Sequence, residues 1–216
     1  TERGHRLLRR LPMTLDQLRP YVDGFLDPWV RAADRVGFTP NGVSAVAGLV
    51  AVAAGVAYYL AGTDPVWYAV GSTLVVLNGW FDVIDGALAR RQAVDSEAGD
   101  LLDHVLDRYA DIVIIAGVAA GVARYDLGLA AVTGVLMTSY LGTQAQAVGL
   151  DRVYGGLVGR ADRLALVVLA TAVAPFLPGE LGPLPLSVVG WLLVFFAIVG
   201  HLTAMQRFYH SLRALS

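Results

Sequence analysis

The chain has 216 residues, 56% of them hydrophobic and only 16% charged, with a mean hydropathy of +0.59. Soluble globular domains carry about 25% charged residues, so this composition excludes that class and points to one all-α, membrane-embedded domain. The formal net charge of −2 argues against a nucleic-acid partner, and the absence of cysteine excludes disulfides, thiolate metal sites and cysteine nucleophiles.

Residues 1–38 form an arginine-rich N-terminal segment (Arg3, Arg6, Arg9, Arg10, Arg19, Arg31, Arg35) with apolar residues interleaved. Pro12, Pro20 and Pro28 divide it into short pieces. The stretch 21–37 is expected as an amphipathic helix lying on the membrane surface, with Tyr21 and Trp29 at headgroup level. A solvated basic tail is the competing reading. No signal peptide fits, because the first long apolar run ends without a small-residue cleavage site and more runs follow it.

The segment 39–216 is expected as the catalytic domain. Its six long apolar runs lie at 41–61, 66–89, 100–123, 127–149, 162–178 and 185–206. A span needs about 20 residues at 1.5 Å rise, which predicts six transmembrane helices, the fifth one short. Arginine falls mostly on one side of that arrangement: the N-terminal segment, Arg90 and Arg91, Arg152, Arg160 and Arg163, then Arg207 and Arg213. Only Arg124 falls opposite. The positive-inside rule then puts both termini on the cytoplasmic side of the cell membrane. No internal repeat suggests an inverted-repeat transporter.

Acidic residues interrupt the second and third runs. Asp82 and Asp85 are three apart, and Asp103 and Asp107 four apart, so each pair shares one helix face. Asp85 lies shortly before the connecting loop and Asp103 shortly after it, which matches their depths within roughly 10 Å of the cytoplasmic surface. Four converging carboxylates repel one another, and each costs about 2.5–3.5 kcal/mol at mid-helix, less near an end. Divalent cations remove both problems, and all-oxygen ligands suit Mg²⁺ or Mn²⁺. In the competing account the aspartates form ion pairs with Arg90, Arg91 and Arg108. That account leaves the small residues between the acids unexplained. Gly86, Ala89 and Gly99 open a groove beside the carboxylates, although small residues also serve close helix packing.

Written as spacing, the stretch is D-x2-D-G-x2-A-R-x8-G-x3-D-x3-D, from Asp82 to Asp107. It resembles the signature of the CDP-alcohol phosphotransferases at every defined position, and the six-span reading resembles that family's fold. The resemblance implies that Asp82, Asp85 and Asp103 bind metal. Asp107 would be the general base and would touch a second ion. Gly86, Ala89, Arg90, Gly99 and Asn41 would hold the CDP moiety. A phosphatidyl-type group, diacyl or archaeal diether, would pass from a CDP-linked lipid to a polar alcohol with release of CMP. Homodimers are common in the family.

Further motifs resemble the branch that makes phosphatidylinositol phosphate and its archaeal ether-lipid counterparts. They are Arg108 with Asp111, Thr138-Ser139-Tyr140, Gly159 to Arg163, and Gln206-Arg207. Guanidinium groups at Arg160, Arg163 and Arg207, with Ser139 and Gln144, suit a phosphorylated polyol acceptor, either glycerol phosphate or inositol phosphate. The chain departs from that branch at Gly142 and Gln144, where a lysine and an arginine are usual. An unphosphorylated acceptor (inositol, glycerol or serine) is the alternative, and an ion or proton transporter the remote one. His104 points off the acidic face and is expected to line or pack.

Overall fold

The computed structural model describes residues 19–94, 96–150 and 158–216. The expectations for residues 1–18, for the Tyr21 side chain and for Arg152 lie outside the described residues.

Among the described residues seven α-helices follow one another: α1 (Arg19–Val36), α2 (Pro40–Leu60), α3 (Val66–Gln92), α4 (Glu97–Gly121), α5 (Tyr125–Ala147), α6 (Arg160–Val173) and α7 (Val188–Leu215). No strand occurs among the described residues. The sequence sets several of the starts. Thr39 Oγ1 accepts the Gly42 N–H at 3.2 Å ahead of Pro40, and Ser96 Oγ accepts the Gly99 N–H at 3.1 Å. Asp162 Oδ2 accepts the Gly159 N–H at 2.9 Å at the head of α6.

Among the described residues two helices, α2 and α7, are long and apolar enough to cross a membrane. The second and third apolar runs form helices of 27 and 25 residues, with the acids inside them. The fifth run is shorter than the expected 162–178. Its α-helix has 14 residues and passes into a single 3-10 turn, Ala174–Phe176. Pro175 has no N–H to give to Thr171, so the α-helix stops there.

The helix α2 packs against both α3 and α4, α6 lies on α3, and α5 pairs with α7 and borders α4. A Cβ added at Gly117 would overlap the backbone of Gly55, so α2 and α4 touch main chain to main chain. Gly134 and Gly200 bring α5 and α7 together in the same way. Buried apolar side chains such as Ala51, Ile114, Val189 and Leu193 fill the centre. A hydroxyl cluster ties three helices: the Thr171 hydroxyl lies 3.1 Å from that of Tyr58 and 2.8 Å from that of Ser72.

The first helix, like the expected 21–37, is continuous through Pro28. An internal proline costs about 3 kcal/mol. Leu26 and Val30 flank it and are 1% and 4% exposed against Ile84 and Leu88 of α3. Burying two such side chains contributes about 1.5–3 kcal/mol each, enough to offset the cost. Polar contacts complete the docking. Arg91 Nε donates to Asp34 Oδ2 at 3.1 Å, and Gln92 Nε2 donates to Asp34 Oδ1 at 2.9 Å and to the Phe38 carbonyl at 3.1 Å. Phe25 and Trp29 stand edge-on to Trp80 at 5.5 and 6.1 Å.

Candidate active site

Oxygens of Asp82 and Asp85 on α3 and of Asp103 on α4 all lie within 4.8 Å of one another. The helical repeat puts Asp82 and Asp85 on one face, and α2, packed against both α3 and α4, holds Asp103 toward them. Asp85 is 7% exposed. Ser44, from α2, donates to Asp85 Oδ2 at 2.7 Å, closer than the 3.1 Å to its own Pro40 carbonyl. A hydroxyl has one proton to give, so the carboxylate takes it. Three clustered carboxylates form a donor set suited to a hard divalent cation and poorly suited to each other without one.

Asp107, one turn beyond Asp103, is not part of that triplet. Its Oδ1 receives Arg160 Nη2 at 2.8 Å, and the same guanidinium gives Nη1 to Asp82 Oδ2 at 2.8 Å. The ion-pair account named other arginines. Arg90 is exposed, and Arg91 turns away to Asp27 and Asp34 of α1. Arg108 is 3.8 Å from Asp107 but 3.1 Å from Asp111, and it also donates to Ser139 Oγ. Arg163 Nη2 reaches Asp111 at 2.8 Å, and Asp111 is 4% exposed. The Nε atoms of Arg160 and Arg163 are buried with no hydrogen-bond partner among the described residues. Arg207 Nη1 donates to the Thr138 carbonyl at 2.6 Å.

A cavity of about 770 Å³ opens beside the triplet, between the first turns of α2 and α4 and the last turns of α3. Asn41, Gly86, Ala89, Arg90 and Gly99 all line it, as do Asp85 and Asp103. Its size suits a nucleotide. A Cβ at Gly99 would stand 3.4 Å from Asn41 Oδ1 and 3.1 Å from Ser96 Oγ, so a side chain there would crowd the floor. Gln144 is exposed on α5, and Gly142 beside it is buried. His104 Nδ1 lies 2.8 Å from the Asp100 carbonyl of its own helix.

Two residues escaped the sequence reading. Ser44, four residues after Pro40, carries no signal of its own in the sequence. Asn78 stands one turn before Asp82, is 1% exposed and donates to the Ala47 carbonyl at 2.9 Å. Its Oδ1 has no partner among the described residues and borders a void of about 10 Å³ shared with Asp82, Asp107 and Arg160. The four-residue interval from Asn78 to Asp82 was the one available signal.

Known proteins resemble the chain over most of its length. The family model for CDP-alcohol phosphatidyltransferase matches residues 38–200. The archaetidylinositol phosphate synthase of Methanothermobacter thermautotrophicus is 34% identical over 194 residues, covering 89% of this chain and 91% of that protein. The phosphatidylinositol phosphate synthase of Mycobacterium marinum is 31% identical over 195 residues, covering 85% of this chain and 77% of that protein. Among solved structures, the Mycobacterium tuberculosis phosphatidylinositol phosphate synthase in complex with manganese and citrate superposes with a TM-score of 0.73. It is 26% identical and covers 85% of this chain and 87% of its own. The same enzyme with CDP-DAG bound gives 0.72, again 26% identical, over 85% of this chain and 92% of its own. The complete signature from Asp82 to Asp107, the carboxylate triplet it builds and the matched span of the family model agree: this chain belongs to the CDP-alcohol phosphatidyltransferase family.

Proposed function

We propose that this CDP-alcohol phosphatidyltransferase uses a polyol phosphate as acceptor, with inositol phosphate first and glycerol phosphate second. The reaction class is that of the family: a phosphatidyl-type group moves from a CDP-lipid to an alcohol and CMP leaves. The observation that carries the acceptor reading is the cluster of Arg108, Arg160 and Arg163 about Asp82, Asp107 and Asp111. Guanidinium forks suit a phosphate, and two of these carry a buried Nε with no partner among the described residues. Inositol phosphate is favoured by the names of the relatives. The neutral Gly142 and Gln144 favour the unphosphorylated alternative.

The CDP moiety would lie in the cavity, with Asn41 and Arg90 beside it and Gly86, Ala89 and Gly99 leaving room for it. Asp107 would accept the proton of the attacking hydroxyl. The acceptor oxygen bonds to the lipid-side phosphorus, and the bond from that phosphorus to the CMP oxygen breaks. The cofactor is Mg²⁺ or Mn²⁺; Asp82, Asp85 and Asp103 would hold it, with Asp107 as a further ligand, and it would supply charge neutralisation for the phosphates. Ser139 and Arg207 would border the acceptor, with Gln144 at its rim.

In our reading α2 to α7 span the cell membrane as one domain, 39–216. The N-terminal segment, 1–38, with α1, would lie on the cytoplasmic surface, where both termini would also be. Large apolar side chains exposed on the outside, including Leu49, Val56, Leu129, Leu169, Ile198 and Leu202, support contact with lipid. The 14 residues of α6 with the 3-10 turn cover about 27 Å, close to a hydrocarbon core of about 30 Å. A homodimer is compatible with such faces.

The test is CMP release from a CDP-lipid by the purified enzyme with Mn²⁺. The acceptors are inositol phosphate, glycerol phosphate, inositol, glycerol and serine. A phosphorylated polyol should be the preferred acceptor. Asp107→Asn should lower turnover by about 10²–10⁴-fold while CDP-lipid still binds. Release with the unphosphorylated alcohols alone would reject the acceptor reading, and near-normal turnover of the variant would reject Asp107 as base.

A further inference from the structure

We infer that Arg160 is a counter-ion shared between the carboxylate centre and the acceptor's phosphate, so that divalent metal and anion bind cooperatively. The inference rests on the acceptor reading given above and adds an order of assembly to it.

Arg160 stands first in α6, and both its terminal nitrogens are engaged. Nη1 lies 2.8 Å from Asp82 Oδ2 and Nη2 lies 2.8 Å from Asp107 Oδ1. One guanidinium thus bridges α3 and α4. Asp82 is also a member of the triplet whose oxygens fall within 4.8 Å. A cation held by that triplet and the guanidinium on Asp82 are like charges on one carboxylate. Each lowers the affinity of the other.

The neighbouring arginines are held differently. Arg163 and Arg108 grip Asp111 at 2.8 and 3.1 Å, and Asp111 does not belong to the triplet. Metal at the triplet therefore acts directly on Arg160 and only indirectly on Arg163 and Arg108. Arg160 Nε has no hydrogen-bond partner among the described residues, and its nearest carboxylate, Asp111 Oδ1, is at 4.0 Å. Arg163 Nε is in the same state. Donors that meet no acceptor among the described residues, in side chains 16% and 9% exposed, leave an anion hydrogen bonds to make.

Charge supports the same exchange. Asp82, Asp85, Asp103, Asp107 and Asp111 set five carboxylates against the three guanidiniums of Arg108, Arg160 and Arg163. A formal charge of −2 remains, which opposes an incoming phosphate. A divalent cation at the triplet brings that sum to zero, and Arg160, losing its claim on Asp82, turns to the anion. Release of Arg160 also frees Asp107 for the proton it takes. The acceptor's phosphate is then gripped well only at a loaded centre.

Linkage makes the idea measurable without turnover. Free Mn²⁺ is followed by its paramagnetic resonance signal in detergent-solubilised full-length protein, and sulfate serves as the anion probe, titrated by calorimetry. In the wild type, saturating sulfate should tighten Mn²⁺ binding about fivefold or more, and saturating Mn²⁺ should tighten sulfate binding by the same factor. Arg160→Gln should bind Mn²⁺ more tightly than the wild type without sulfate, and its response to sulfate should vanish. Arg160→Lys, a single ammonium that cannot span both carboxylates, should fall between. Sulfate that binds the wild type equally with and without Mn²⁺ overturns the coupling and leaves the acceptor reading standing. Sulfate that binds neither form overturns both. Arg160→Gln binding Mn²⁺ no tighter than the wild type rejects the competition, and if that variant does not fold, the wild-type titrations alone decide.

Discussion

Ser44 conditions a carboxylate that belongs to another helix. Its proton goes to Asp85 Oδ2 at 2.7 Å, and both residues are buried, at 7% exposed each. Removing the hydroxyl leaves Asp85 short of a donor and free to rotate out of the triplet. Partners behind a metal ligand typically contribute 10–100-fold in metal affinity. Ser44→Ala should therefore weaken Mn²⁺ binding by about 10–100-fold at unchanged fold, measured by the same resonance titration, and Ser44→Thr should recover most of it. Unchanged affinity would mean that the bond is incidental. The sequence was informative about the four aspartates because intervals of three and four are the helix period itself. It was uninformative about Ser44, since a serine four residues after Pro40 looks like part of a helix start. Pairing of Arg160 with Asp82 and Asp107 crosses 78 and 53 residues of chain, and no local pattern reports such a contact.

At the scale of elements, contact between α2 and α4 sets where the carboxylates stand. A Cβ on Gly117 would lie 2.6 Å from the Cα of Gly55, a position no flexible side chain can yield. Gly117→Ala should force the two backbones apart and destabilise the protein by about 1–3 kcal/mol, read as a lower midpoint in thermal unfolding in detergent. The same separation should draw Ser44 on α2 away from the site, so metal affinity should fall with stability. A variant as stable as the wild type would show that the helices re-pack freely. The apolar runs made the existence of these helices legible. Their ends were less so. In α1 the burial of Leu26 and Val30 overrides Pro28, whereas in α6 Pro175 ends the α-helix before the apolar run is exhausted. Proline has one local effect in both places, and tertiary packing decides the outcome.

For the whole molecule, the docking of α1 is the contact most exposed to conditions. Asp34 accepts from Gln92 and Arg91, and these bonds hold its carboxyl below the ordinary value of 3.8. A lowered folded value means that the contribution is complete above the ordinary value and is lost as pH falls through it. Docking should therefore be constant from neutral pH down to about 4 and loosen below that, and the exposed Arg91 pairs should weaken with added salt. Trp29 against Trp80 is the reporter. Emission of the wild type minus that of Trp29→Phe should change only in the acidic range. A change centred near neutral pH would place the sensitive group elsewhere. How the helices assemble around the site was legible only in part: the sequence brought α3 and α4 together through their acids, but nothing local announced that α6 would close over them.

Three helices, α2, α4 and α6, begin at the site, with Thr39, Ser96 and Gly159 as their first caps. Each helix start carries about half a positive charge from its aligned peptide dipoles. The end of α3, which also borders the cavity, carries the opposite sign, so three starts against one end leave a net attraction for phosphate made of main chain. No side-chain substitution removes that field, so Arg160→Gln should still bind sulfate, though no longer in step with Mn²⁺.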